Sequence, residues 1–198
     1  KIVLDSISLT AEDVQKIRRI CILACGSAWH VGMVAKYILE ELTRIPVEVD
    51  IASEFRYRNP IVDSSTLVLV ISQSGETADT LAAMREAKRL GARTLSIVNV
   101  VGSSIANDSD DVIYTWAGPE IAVATTKAYS TQLAVVYLIS IYLAEKLGTV
   151  SQAEYDGYVQ ALLKLPDQIE KTLENKEKIQ YFASQCFNAK DIFFIGRN

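Results

Sequence analysis

A chain of 198 residues, 49% hydrophobic and 22% charged, has the make-up of a folded α/β domain with one sizeable core, which excludes a disordered protein. Twenty Lys and Arg stand against 24 Asp and Glu, a net charge of −4 with no dense basic cluster, and this argues against a nucleic-acid partner. No apolar stretch is long enough to span a bilayer and residues 1–10 lack a signal-like apolar core, so no membrane partner is expected and a cytoplasmic location is the default.

Residues 1–10 read as a lead, and Lys1 in place of an initiator Met makes a piece of a longer chain the expectation. A main domain is expected over 11–150. Short apolar runs at Ile20 to Ala24, Val47 to Ile51, Leu67 to Ile71, Thr94 to Val98 and Val112 to Thr115 predict β-strands, separated by stretches with helical spacing. That alternation predicts a three-layer α/β/α sandwich around a five-stranded parallel sheet. Cys21, Cys25 and Cys186 are too few for a disulfide framework, and no His/Cys/Asp/Glu cluster has metal-ligand spacing, so no metal site is expected.

Glu76 to Leu90 reads as one helix. A second, long one runs from Thr125 or Thr126 to Leu147 and stops at Gly148, apolar around most of its circumference. Such a helix is buried in its own domain or against a second subunit or domain, and a homodimer is the expectation. Residues 151–190 read as a connector of two charged amphipathic helices broken near Pro166. The stretch 191–198, "DIFFIGRN", repeats the outline of "RICILACGS" and reads as the first strand of a second α/β unit.

The chemistry concentrates at "VISQSGETADT". In an open parallel sheet, ligands sit beyond the carboxyl ends of the strands, near the point where strand order reverses. Ser72 to Thr77 follow such an end and precede a helix, whose unpaired amides and positive dipole end favour an anion. A capping turn accounts for one hydroxyl; several small polar groups in six residues favour a phosphate site. There is no G-x-x-x-x-G-K-[ST] and no G-x-G-x-x-G, so nucleoside triphosphates and dinucleotides have no support, and no cofactor is expected. "ACGSAWH" places Gly26 and Ser27 at a second strand-to-helix turn that can face the same cleft. In "EIAVATTKAYSTQ", Thr125 and Thr126 with Lys127 read equally as a ligand element or as a capped helix with one solvated lysine.

The segments "CGSAWHVG", "IASEFRYRNP", "ISQSGETADT", "VNVVGSSIA" and "GPEIAVATTKAYSTQ" resemble the first sugar-isomerase (SIS) domain of the glucosamine-6-phosphate synthases, over about residues 11 to 150. "FFIGRN" resembles the opening of that family's second SIS domain. The resemblance implies a flavodoxin-like fold and a hexose 6-phosphate ligand. It makes Ser72, Gln73, Ser74 and Thr77 the phosphate site, and Ser27, Ala28, Val123 and Thr125 the surroundings of the sugar. Ala28 stands where the family has a hydroxyl.

In that family ammonia from glutamine converts fructose 6-phosphate to glucosamine 6-phosphate, with an N-terminal cysteine nucleophile, a Schiff-base lysine and a carboxylate base. None of these matches a position here. Glutaminase and second SIS domains are expected outside these residues, and binding without turnover is the expectation. Lys127, Glu76 and His30 are declined as substitutes: the first is placed to be solvated, the second is favoured by the helix dipole alone, and the third, beside Trp29, is placed to pack or cap. A sugar-phosphate sensor and a simple phosphosugar isomerase are the rival readings. The first lacks a helix-turn-helix segment, and the second is expected to be a complete one-domain chain.

Overall fold

The computed structural model describes residues 1–122 and 125–196. In chain order its elements are α1 (Ala11–Lys16), β1 (Arg19–Ala24), α2 (Ser27–Thr43), β2 (Val47–Ile51), α3 (Ala52–Phe55), β3 (Thr66–Ser72), α4 (Ala78–Arg89), β4 (Arg93–Val98), α5 (Ser104–Asp108), β5 (Asp111–Tyr114), α6 (Lys127–Leu147), α7 (Gln152–Leu163), α8 (Leu165–Leu173) and α9 (Lys176–Cys186). The five strands form one parallel sheet in the order β2-β1-β3-β4-β5, as the alternation of apolar runs predicts.

Central strands must be covered on both faces, and β3, "TLVLVIS", is buried at every position. Successive residues point to opposite layers. Cys21, Leu23, Val68 and Val70 pack with Phe55, Ala83, Met84 and Ile105 of α3, α4 and α5. The opposite face carries α2 and α6, which lie against each other. Gly32 permits α2 to come close there, since a Cβ would meet Ile22 and Val49 at 3.0 Å. Edge strand β2 is less buried and carries Glu48 and Asp50, both bound by Arg58, which blunts the edge against pairing with another chain.

Three expectations need correction. Helix α4 begins at Ala78, two residues after the expected start, because Gly75 adopts φ +68° and Glu76 is turned toward Ser104. The lead packs onto the domain rather than preceding it: Ile2, Ile7 and Leu9 are buried, and Thr10 forms a capping box with Asp13 at α1. The region after Gly148 holds three helices instead of two. Pro166 lies in the first turn of α8, where its missing N–H costs nothing, and a further break falls at Asn175, whose side-chain amide donates to the Lys171 carbonyl.

Helix α6 ends as expected. Gly148 takes the left-handed conformation, φ +69°, and donates to Glu145, while the Thr149 N–H donates to Ala144. The described chain divides into two units that part between Asp156 and Gly157. Residues 191–196 carry no strand.

Candidate functional site

Strand β1 pairs with β2 on one side and β3 on the other, so the chain leaves β1 and β3 in opposite directions across the sheet. This is the position at which an open parallel sheet leaves a crevice. A small open cleft of about 190 Å³ lies there. It is lined by Ser27 and Ala28 from the β1–α2 turn and by Ser72, Gln73, Ser74 and Thr77 from the β3–α4 turn. The volume is below the roughly 300 Å³ at which pockets for drug-sized ligands begin, so it suits a compact head group.

The β3–α4 turn is braced from within. Ser72 Oγ accepts the Gly75 N–H at 3.0 Å and lies 3.4 Å from Thr77 Oγ1, and Ser74 Oγ accepts the Glu76 N–H at 3.2 Å. Thr77 occupies the N-cap position of α4, yet its side chain makes no capping bond. The first amides of α4 have no intrahelical acceptor. Donors therefore gather at one helix end beside two part-buried hydroxyls, and this favours an anion over a plain capped turn.

The segment after β4 props the same turn from outside. Asn99 N–H donates to the Gln73 carbonyl at 3.1 Å, and Ile105 N–H donates to the Gly75 carbonyl at 3.0 Å. Ser104 donates its N–H and its hydroxyl to the two carboxylate oxygens of Glu76, at 2.8 and 2.7 Å. Those bonds hold the Glu76 carboxyl below its ordinary range. Glu76 is thus tied to α5, which corrects its assignment to the dipole alone. Ser103 is buried directly against Gly75, where a Cβ would fall 2.0 Å from Ser103 Oγ.

The third candidate segment also reaches the cleft. Ser27 Oγ lies 3.1 Å from Thr125 Oγ1, which joins the β1–α2 turn to the start of α6. Val123 lies outside the described residues. Glu120 accepts amides from Thr126 and Ala128, both at 3.3 Å, and from Ala122 at 3.4 Å. Burial opposes its charge, but the amides of Ala128, Ala122 and Thr126 and the Lys127 ammonium outweigh burial and lower its pKa. Glu120 had no distinguishing signal in the sequence: only the fold of the loop carries it back to the α6 N-terminus.

Three further residues with polar side chains line the cleft without having been singled out as ligand groups, namely Cys25, Thr80 and Gln132. Cys25 is half-buried and 3.8 Å from Thr80 Oγ1. Cys21, by contrast, is sealed in β1, where burial pushes its thiol up to about 12, leaving it inert. His30 is exposed and edge-on to Trp29 at 5.1 Å, and Lys127 is exposed; neither lines the cleft. Among the described residues no group of three or more His, Cys, Asp or Glu is placed to hold a metal.

The chain is 59% identical over 197 residues to the glutamine–fructose-6-phosphate aminotransferase (isomerizing) of Caldanaerobacter subterraneus subsp. tengcongensis, covering 100% of this chain and 32% of that protein. It is 56% identical to the enzyme of the same name from Clostridium tetani, over 98% of this chain and 32% of that one. The chain thus spans about a third of the length of these curated relatives. Among solved structures, the C-terminal domain of glucosamine-fructose-6-phosphate aminotransferase from Francisella tularensis superposes with a TM-score of 0.86 at 35% identity, covering 90% of this chain and 50% of that one. The SIS domain pattern matches residues 13–142, the span that carries all five strands and the cleft, and the chain belongs to the SIS domain family.

Proposed function

We propose that the chain is the sugar-phosphate-binding part of a glutamine–fructose-6-phosphate aminotransferase, and that its cleft takes a hexose 6-phosphate. The observation that carries this is the Ser72–Thr77 turn, its hydroxyls and the uncapped α4 amides converging where β1 and β3 diverge. The phosphate is proposed to sit on Ser72, Gln73, Ser74 and Thr77, with Ser27, Ala28, Val123 and Thr125 around the sugar. The 35–59% identity to proteins of that name supports the choice of substrate. In that reaction fructose 6-phosphate and glutamine yield glucosamine 6-phosphate.

The proposed role is binding without turnover. Glu76, the carboxylate of the turn, is held charged by Ser104, and Lys127 lies outside the cleft lining, so neither is poised for proton transfer or Schiff-base chemistry. The partners proposed are glutaminase and second SIS portions of the same protein. Calorimetry is expected to show binding of fructose 6-phosphate and no binding of fructose. A coupled assay is expected to show neither glucosamine 6-phosphate nor interconversion of fructose and glucose 6-phosphates. Turnover abolished by Lys127→Ala or Glu76→Ala would instead make the chain a self-contained phosphosugar isomerase.

A homodimer is proposed as the assembly. Helix α6 is apolar on most sides and keeps Tyr137 40% exposed. Sedimentation at tens of micromolar, where interfaces of standard size persist, is expected to give a dimer; a strict monomer overturns it.

A further inference from the structure

We propose that Gln132 is a ligand-reading residue of the cleft, whose side-chain amide hydrogen-bonds the sugar portion of the bound phosphosugar. The inference rests on the proposed function and goes beyond it to a residue with no assigned role. Gln132 lies in the second turn of α6 and is only 2% exposed, yet it lines the cleft. Its amide makes no hydrogen bond among the described residues, and it is not one of the fully enclosed polar groups left without a partner, which belong to Trp29, Ser103 and Glu145. A structural residue at this point of an apolar helix is better Leu or Met, since nearly burying an amide carries a desolvation cost. The polar choice has a physical reason if a partner arrives with the ligand.

Its position indicates which part of the ligand that partner is. The phosphate-type donors all belong to the β3–α4 turn and the α4 amides. Gln132 comes from α6, and Thr125, two residues before that helix begins, lies against Ser27 on the β1–α2 side. An amide both donates and accepts, which matches sugar hydroxyls, whereas a phosphate dianion calls for donors alone. The adjoining Ala28 is buried and offers no side-chain hydrogen bond, so the amide supplies polarity on a side of the cleft where α2 does not.

The test is binding of two probes, fructose 6-phosphate and inorganic phosphate, to the full 198-residue chain and to Gln132→Met, with melting temperatures recorded. The expected result is a loss of about five- to tenfold in fructose 6-phosphate affinity, the loss of one or two hydrogen bonds between neutral groups, with phosphate affinity unchanged. Melting of the free variant is expected to be unchanged or higher, since a nearly buried amide has been replaced by an apolar side chain of similar size. Equal affinity of variant and parent for fructose 6-phosphate overturns the inference, as does an equal loss for both probes. If the unaltered chain fails to bind fructose 6-phosphate at all, the proposed function fails first, and the two failures are distinct. Should Gln132→Met not fold, the side-chain amide resonances of Gln132 in the parent chain decide: a shift with fructose 6-phosphate but not with phosphate is expected, and no difference between the two overturns the inference.

Discussion

A Gly75→Ala substitution is expected to weaken fructose 6-phosphate binding by at least about tenfold while the sheet stays folded. Two costs coincide at this residue. Gly75 holds φ +68°, a left-handed conformation that costs an L-residue roughly 1–2 kcal/mol. The new Cβ would also fall 2.0 Å from Ser103 Oγ and 2.5 Å from Ser103 Cβ, inside any real contact distance. The turn then moves, and with it the Ser72 brace to the Gly75 N–H and the Ile105 bond to the Gly75 carbonyl. About 1.4 kcal/mol of misplacement suffices for the tenfold loss. Gly75→Ala combined with Ser103→Gly removes the collision but leaves the backbone cost, so the double variant is expected to recover part of the affinity. Calorimetry on the two variants measures both contributions; a Gly75→Ala protein that binds like the parent shows that the turn does not hold the phosphate.

Ser74→Ala and Thr77→Ala are each expected to weaken fructose 6-phosphate binding by about 1–3 kcal/mol, the cost of removing one partner from a charged acceptor. The two differ in their side effects. Ser74 Oγ also accepts the Glu76 N–H, so its loss loosens the turn as well as removing a donor. Thr77 caps nothing with its side chain, and Thr77→Ala is expected to leave the melting temperature near that of the parent. Equal affinity for glucose and glucose 6-phosphate in the unaltered chain removes the basis of both expectations, because discrimination between them is the direct reading of a phosphate site.

Strand positions, the parallel sheet, the long helix closed by Gly148 and the hydroxyl-rich turn were all legible in the residues, because each rests on short-range rules. Apolar runs of five to seven residues are strands when both faces are covered, and a glycine after a periodic stretch ends a helix. The resemblance carried by "ISQSGETADT" and its companion segments then named the family. The strand order needed the fold itself. Five strands alternating with helices are compatible with more than one sheet, and only the pairing of β1 with both β2 and β3 sets the two turns beside one another.

The supports of the site were invisible for the same reason. Ser104 lies 28 residues from Glu76, and Thr125 lies 98 from Ser27, so their bonds depend on which loops the sheet brings together. Gln132 is an ordinary polar residue in a helical stretch until α6 packs it beside the cleft. Sequence by itself therefore determined the five strands, the long helix, the family and the hydroxyl-rich turn proposed for the phosphate, since those follow from neighbours along the chain. Which distant groups hold that turn in place, and which residue of α6 lines the cleft beside it, was decided by tertiary packing alone, because hydrogen bonds and burial depend on distance in space.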